Sequence, residues 1–443
     1  MISAVGKDFH PPLYYIILKA VLDFFNFLSI PVNKIILAKL VSIIPLILLL
    51  VVSFTKIREN FGWLCAGIFS LCIIGMPQIL RYGIEIRMYT WALLFLTIVF
   101  IYAYQIMRES NLKNWTILTI FSLLTIYTRY IVAVPVILIY LGLMLYLILK
   151  NKEELKKWII SVITVIILFL PWLPTFIYQL KYSSLSTSWV AHITLDNIQW
   201  FFWFILSANT NPSIDGILLF SALISVLTIF LIQKKEPADY FAVSGILILV
   251  FTVCFAVVFA YLTNPMFITR DMVPLLGCFW LGFSILVSKN YSKKQIFIPI
   301  LIVLLVVSFV NIDFMITNEE HNQKNNVKIE GIIQQIEPND VIIYTHSHCY
   351  VVYSGFNNSY NDSYLAGYNN YLILSKNHIN LIPNALSENK TVWIFYTENG
   401  TVELKDLENI SLENGYDLKK VAIFTKSLTD DQFPTTIYRI SPT

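Results

Sequence analysis

The 443-residue chain is 57% hydrophobic and 15% aromatic, with a mean hydropathy of +0.67 and only 13% charged residues, about half the charged share of an ordinary soluble domain. That composition excludes a soluble cytosolic enzyme and indicates a polytopic membrane protein. The net charge of +3 is spread over loops, which leaves no nucleic-acid face. Of the five cysteines only Cys349 lies outside an apolar run, so neither a disulfide framework nor a CxxC metal knuckle can be built.

The chain opens on KDFHPPLYY, Lys7–Tyr15. Its paired prolines forbid helix at Asp8–His10 and set the direction in which the next helix leaves. Two readings of this stretch stay open. It is either an interfacial amphipathic segment with a Pro-Pro helix start, or part of a site for a charged lipid headgroup.

Apolar runs of spanning length occur near residues 35–54, 63–80, 88–106, 131–149, 158–176, 214–232, 240–262, 272–288 and 295–313, with a shorter run at 115–127. Alternate loops carry Lys56 and Arg58; Arg108 and Lys113; Lys150, Lys152, Lys156 and Lys157; Lys234 and Lys235; Lys289, Lys293 and Lys294. Such loops mark the cytoplasmic side. The four-lysine loop stays on that side only if 115–127 and 131–149 are two helices with a tight turn at Thr128–Tyr130. The fold class expected is therefore an all-α membrane domain of about ten spans. Residues 1–34 form an extracytoplasmic first-loop segment, 35–313 the spans, and 314–443 a small extracytoplasmic domain. Both ends then lie outside the cell membrane, so either the first helix inserts with its short N-terminal tail outward, or the chain as given starts downstream of an odd number of crossings.

Ionisable residues gather at the outer ends. Arg81-Tyr82-Gly83-Ile84-Glu85-Ile86-Arg87-Met88-Tyr89 comes after the second span, Arg129 sits in the tight turn, and Thr269-Arg270-Asp271 opens the ninth span. Charges at span ends are either snorkelling side chains or, where they converge, a functional site. The loop after Pro171-Trp172-Leu173-Pro174 carries Trp189, Trp200, Phe201, Phe202 and Trp203, an aromatic belt or a wall for a polyprenyl chain.

The tail reads as helix over Asn325–Ile336, then strands at Val341–Tyr344, Val392–Tyr396, Val421–Phe424 and Thr436–Ile440, hence a small α/β domain. Asn-X-Ser/Thr matches at Asn357, Asn361, Asn389, Asn399 and Asn409 are expected by chance. His346 and His348 are a weak metal pair.

Five segments in series, KDFHPPLYY, RYGIEIRMYTWALL, LTIYTRYIVAV, LPWLPTFIYQL and FITRDMVPLL, resemble the polyprenyl-phosphate-sugar-dependent glycosyltransferases of the GT-C fold. That superfamily includes protein O-mannosyltransferases and aminoarabinose transferases. The resemblance covers about residues 6 to 345. It implies transfer of a mannose-like sugar from a polyprenyl-phosphate donor, held in the lipid bilayer, to an extracytoplasmic protein, lipid or glycan acceptor. Asp8 matches the leading acid of the first-loop motif and Glu85, with Arg87, the second-loop motif; Arg270 matches the arginine facing the phosphate. Arg129 stands where many relatives have histidine, and some members use a divalent metal ion. The family's first span and the acidic pair after it have no counterpart here. The chain is therefore expected to be a fragment, an inactive relative, or an enzyme in which Asp8 takes the base's role.

The residues suit that chemistry. Sugar transfer needs a base for the acceptor and positive charge on the departing phosphate. Asp8 and Glu85 are the candidate catalytic acids. His10, Arg81, Arg87, Arg129 and Arg270 are candidate phosphate ligands, with His10 also the candidate metal ligand, and Tyr14, Tyr15, Tyr82 and Tyr89 are expected to line the substrate. A transporter or flippase of a lipid-linked sugar, or an inactive relative, is the alternative.

Overall fold

The first helix begins where the prolines allow it. A computed structural model describes residues 10–186, 195–207, 214–232, 235–262, 269–337, 340–345, 371–373, 391–397, 403–413, 415–424 and 435–441. It divides into two units, Met1–Asp313 and Phe314–Thr443. Asp8, Trp189, His346, His348 and four of the five Asn-X-Ser/Thr sites lie outside the described residues. Helix α1, Leu13–Phe27, starts directly after Pro12, where a missing N–H costs nothing. At 15 residues it is too short to cross a bilayer. Its Tyr14 is buried against Val41 and Met88, while Phe24 and Phe27 stay exposed.

Helix α2, Lys34–Val52, is capped by Asn33, whose side chain accepts from the amides of Ile35 and Ile36. A π-turn at Ser53–Ile57 leads into α3, Arg58–Gly75. These elements form one continuous helical run, yet the chain reverses inside it. Gly62 has φ +87 and ψ 169, a conformation in which only glycine is unstrained. Ser53 Oγ donates to the Ala66 carbonyl at 2.9 Å and accepts from Ser70 Oγ at 3.0 Å. On a straight helix Ser53 and Ala66 would stand about 20 Å apart. Two spans therefore lie here, as the charges at Lys56 and Arg58 require.

The short α4, Ile79–Gly83, precedes α5, Tyr89–Arg108. Helix α6, Leu112–Thr128, and α7, Ala133–Lys150, are joined by Arg129 and a 3-10 turn at Tyr130–Val132, at the expected position. After α8, Leu155–Phe169, the prolines do not open a loop. A 3-10 turn at Leu170–Trp172 resumes as α9, Leu173–Ser186, because Pro174 falls in the first turn of a helix, where proline is tolerated. Next come α10, Leu195–Leu206; α11, Ile214–Ile232; α12, Pro237–Leu262; a 3-10 helix, Thr269–Leu275; α13, Leu276–Lys289; and α14, Lys294–Ile333. Within the aromatic run, Phe201 of α10 is buried in the helical core, while Phe202 is exposed.

Among the described residues eight helical runs are long and apolar enough to cross a membrane. Dividing Lys34–Gly75 at Gly62 and adding the 17-residue α6 gives the ten spans expected. The chain is a multi-pass membrane protein. Helices α12 and α13 meet through glycine: a Cβ on Gly245 would lie 2.5 Å from the Cys278 carbonyl oxygen, and one on Gly282 only 2.1 Å from that of Ala242. Close backbone approach of this kind supplies packing where lipid removes the hydrophobic drive. At the lysine-rich end, Lys289 binds Asp239 at 2.7 Å and Glu236 at 2.8 Å.

In the second unit the polar stretch expected as a separate helix continues α14, since no proline interrupts residues 300–333. Five strands, β1 Val341–Tyr344, β2 Tyr371–Ile373, β3 Val392–Thr397, β4 Asp417–Phe424 and β5 Thr435–Ser441, form one sheet in the order β2-β1-β3-β5-β4. Strands β2, β1 and β3 are parallel, while β5 is antiparallel to both β3 and β4. Every residue of β3 is buried, as a central strand covered on both faces requires. Val392, Ile394 and Tyr396 pack with Leu407 of α15, Leu404–Glu413; Trp393 and Phe395 pack with Ile329 and Ile332. Asn409 lies within α15 and is exposed.

Candidate functional site at the helix ends

The residues at the ends opposite the lysine loops converge. Two bonds pin the start of α5 to α2: Thr90 Oγ1 donates to the Ser42 carbonyl at 2.6 Å, and Trp91 Nε1 donates to the Val41 carbonyl at 3.1 Å. The hydroxyls of Tyr14 and Ser42 lie 3.2 Å apart. Together these fix α1, α2 and the loop from Glu85 to Tyr89 as one assembly. Burial raises the pKa of Tyr14, opposed by the Ser42 bond and the Arg87 charge. Tyr14 is thus a packed anchor, and its expected role in lining the substrate does not follow from its position.

Arg129 occupies extended backbone between α6 and α7. Its Nη2 donates to Asp271 Oδ1 at 2.5 Å, across 142 residues of chain. Asp271 is 1% exposed and Arg129 14%, so this is a buried ion pair. Burial opposes the guanidinium's charge, but the Asp271 carboxylate, Tyr89 and Tyr15 outweigh it and raise the Arg129 pKa. Arg129, expected as a phosphate ligand, is also the ion-pair partner of Asp271. Asp271 is visible in the Thr-Arg-Asp segment, but nothing local names a partner so far along the chain.

Tyr89 joins the loops. Its ring lies 6.0 Å from the Arg129 guanidinium carbon and 5.6 Å, edge-on, from the ring of Tyr82. Tyr82 in turn packs on Phe204 and under the Arg81 guanidinium. The charges of Asp271, Arg129, Arg270 and Arg87 all act on the Tyr89 hydroxyl, which has no hydrogen bond to any described residue. Arg270 carries the second such vacancy: its Nε is buried and has no acceptor among the described residues. A planar guanidinium in this condition suits a ligand's phosphate oxygen.

Glu85 and His10 are half-buried, Glu85 on the same loop and His10 just before α1. Among the described residues no three His, Cys, Asp or Glu side chains are placed to hold a metal ion.

An apolar groove starts beside the cluster. It has a volume of about 490 Å³ and runs from Tyr130 and Phe176 past Val136 and Ile166 to Tyr140 and Trp158. Its edge residues Ile137 and Ile166 are exposed, so it opens towards lipid. Tyr130, at its mouth, is the residue next to Arg129. The Tyr130 hydroxyl donates to Gln179 Oε1 at 2.5 Å and accepts from Trp172 Nε1 at 2.7 Å, which ties α9 to the turn.

No protein-family model and no curated protein sequence matches the chain. Among solved structures, ArnT from Cupriavidus metallidurans bound to undecaprenyl phosphate superposes with a TM-score of 0.54. The match covers 97% of this chain and 87% of that one at 9% sequence identity. The apo state of the same protein gives 0.41 at 10% identity. At this level of identity the likeness speaks to architecture alone. Helical spans, a small sheet domain and this superposition together give the chain the GT-C fold.

Proposed function

We propose that the protein is a membrane glycosyltransferase that moves a sugar from a polyprenyl-phosphate donor to an acceptor outside the membrane. The observation that carries this reading is the junction of two unlike surfaces at consecutive residues. Arg129 belongs to a cluster of guanidinium groups, and Tyr130 to an apolar groove open to lipid. A lipid-linked sugar phosphate has this pair of properties, an anionic head on a long hydrocarbon. The structural likeness to ArnT, solved with undecaprenyl phosphate, supports the same donor class.

In this reading the chain lies in the groove and the phosphate meets Arg270, Arg87 and the Tyr89 hydroxyl. A carboxylate takes the proton of an acceptor hydroxyl as its oxygen attacks the sugar's anomeric carbon. The bond from that carbon to the phosphate oxygen breaks, and polyprenyl phosphate departs with one more negative charge than the donor phosphate carried. Glu85, on the arginine loop, is the base within the described residues; Asp8 is the other candidate. The cations act where charge develops, which is the largest lever available for such a step. A mannose-like sugar and a protein, lipid or glycan acceptor are the proposed substrates. The second unit, placed outside, contributes to binding the acceptor.

Membranes carrying the protein, given radiolabelled polyprenyl-phosphate mannose, test this. Label leaving the lipid, with polyprenyl phosphate released, is the expected result. Donor binding without cleavage would assign the protein to transport or to the inactive relatives.

A further inference from the structure

A proline, Pro45, stands inside α2 and is buried there. Having no N–H, it cannot bond the Val41 carbonyl one turn earlier, and its ring pushes that carbonyl off the helix axis. Within a membrane a carbonyl released in this way needs a partner from elsewhere in the protein. Trp91 supplies it: its Nε1 donates to the Val41 carbonyl at 3.1 Å, across 50 residues of chain. The next carbonyl of α2, that of Ser42, accepts from the fully buried Thr90, whose Oγ1 lies 2.6 Å away. Both donors belong to the first turn of α5, directly after Tyr89.

The loop that ends at this junction has little of its own to hold it. Residues 84–88 are neither helix nor strand. Among the described residues they close one backbone bond within themselves, from the Arg87 N–H to the Glu85 carbonyl at 2.7 Å. Met88, at the end of the loop, is buried against Val41 and Tyr14.

We propose that Pro45, Thr90 and Trp91 are positioning residues: the proline opens a docking point midway along α2, and the start of α5 fastens there, fixing the loop that presents Glu85 and Arg87. This rests on the reading of that loop as part of a glycosyl-transfer site. None of the three touches a reacting atom. A proline inside a helix ordinarily costs stability, so a purely structural role would be served as well by alanine.

Hydrogen exchange of the purified full-length protein tests the docking, and turnover of labelled polyprenyl-phosphate sugar tests its use. Pro45→Ala gives the Val41 carbonyl an amide from its own helix and lets it return to the axis, away from Trp91. Exchange across residues 84–92 is expected to quicken about fivefold, the effect of one lost hydrogen bond. Turnover is expected to fall about tenfold or more, because a displaced base or phosphate ligand slows the chemical step, while the melting midpoint does not fall. Thr90→Val keeps the shape of the side chain, loses its hydroxyl, and is expected to act on exchange and turnover in the same way. Thr90→Ser, which keeps the hydroxyl, is expected to hold both within about twofold of native.

Unchanged exchange in Pro45→Ala and Thr90→Val overturns the docking. Faster exchange with native turnover overturns the positioning role and leaves the transfer reading intact, as does turnover that falls only in step with the melting midpoint. Native protein that transfers no sugar overturns the transfer reading and the role of the loop together, whatever the exchange shows.

Discussion

Replacing Arg129 by Met is the sharpest test of how the membrane unit is held together at this end. The substitution keeps an unbranched apolar stem and removes the guanidinium that is ion-paired with Asp271, which is 1% exposed. Two charges about 4 Å apart at an effective dielectric of about 20 attract by ~4 kcal/mol. Breaking such a pair from one side costs about 3–5 kcal/mol, because the remaining charge stays buried. Against a total stability of roughly 5–15 kcal/mol for a folded domain, the loss is large. In a chain of this size it corresponds to a fall of ~3–5 °C in the midpoint of thermal unfolding. The assay is intrinsic tryptophan fluorescence of the detergent-purified protein on heating. Removing both partners, with Arg129→Met and Asp271→Leu together, is expected to recover most of the loss, since an apolar pair of similar volume replaces a buried ion pair at little cost. A single variant that melts within about 1 °C of the native protein, against the shift expected from the lost pair, would refute the buried pair, as would a double variant no better than the single one.

Arg270→Ala is expected to express normally and to weaken donor use about tenfold or more, the loss of one charge-assisted phosphate contact; kcat/KM for labelled donor measures it. Ala133→Phe places a ring in the apolar groove, and is expected to raise KM for long polyprenyl donors while sparing farnesyl analogues, read by the same assay. Gly282→Val drives a side chain into the Ala242 carbonyl, a backbone atom that cannot turn aside, and should cost about 1–3 kcal/mol or more, seen as a lower melting midpoint. In the second unit, Trp393→Phe removes the 2.9 Å bond from Nε1 to Asp340 Oδ2, and is expected to lower stability by about 1–3 kcal/mol, measured by hydrogen exchange of β3.

Much of this architecture is legible in the sequence because its causes are local. Lysine-rich loops at fixed intervals force the turn at Thr128–Tyr130, and that turn splits a continuous apolar region into α6 and α7. The reversal between α2 and α3 is flagged by Lys56 and Arg58, although only the fold assigns it to Gly62. Strand β1 occupies the expected residues, and β3, β4 and β5 differ from expectation only in length, because short β-branched and aromatic runs between polar stretches have few other uses. The helix α9 is hidden by Pro171 and Pro174, residues that end helices in one position and begin them in another.

The site divides the same way. Arg81, Glu85, Arg87, Arg129 and Arg270 stand out as charges in an apolar chain, and the structure sets the Arg129 guanidinium over the ring of Tyr89. The pairing is what the sequence hides. Arg129 and Asp271 are 142 residues apart, and no periodicity or motif links a turn after the fourth span to a 3-10 helix before the ninth. Nor can local sequence tell a packed tyrosine, Tyr14, from one whose hydroxyl stays unbonded among the described residues, Tyr89; that difference is made by Ser42, from another helix.

The most direct measurement is the fate of labelled polyprenyl-phosphate mannose on purified native protein reconstituted in lipid vesicles, with Arg270→Ala alongside. Loss of the label from the lipid and release of polyprenyl phosphate in the native protein, at least tenfold slower in the variant, is the outcome the guanidinium cluster and its adjoining groove predict. A donor bound but left whole, or native and variant proteins that cleave it equally fast, would contradict it.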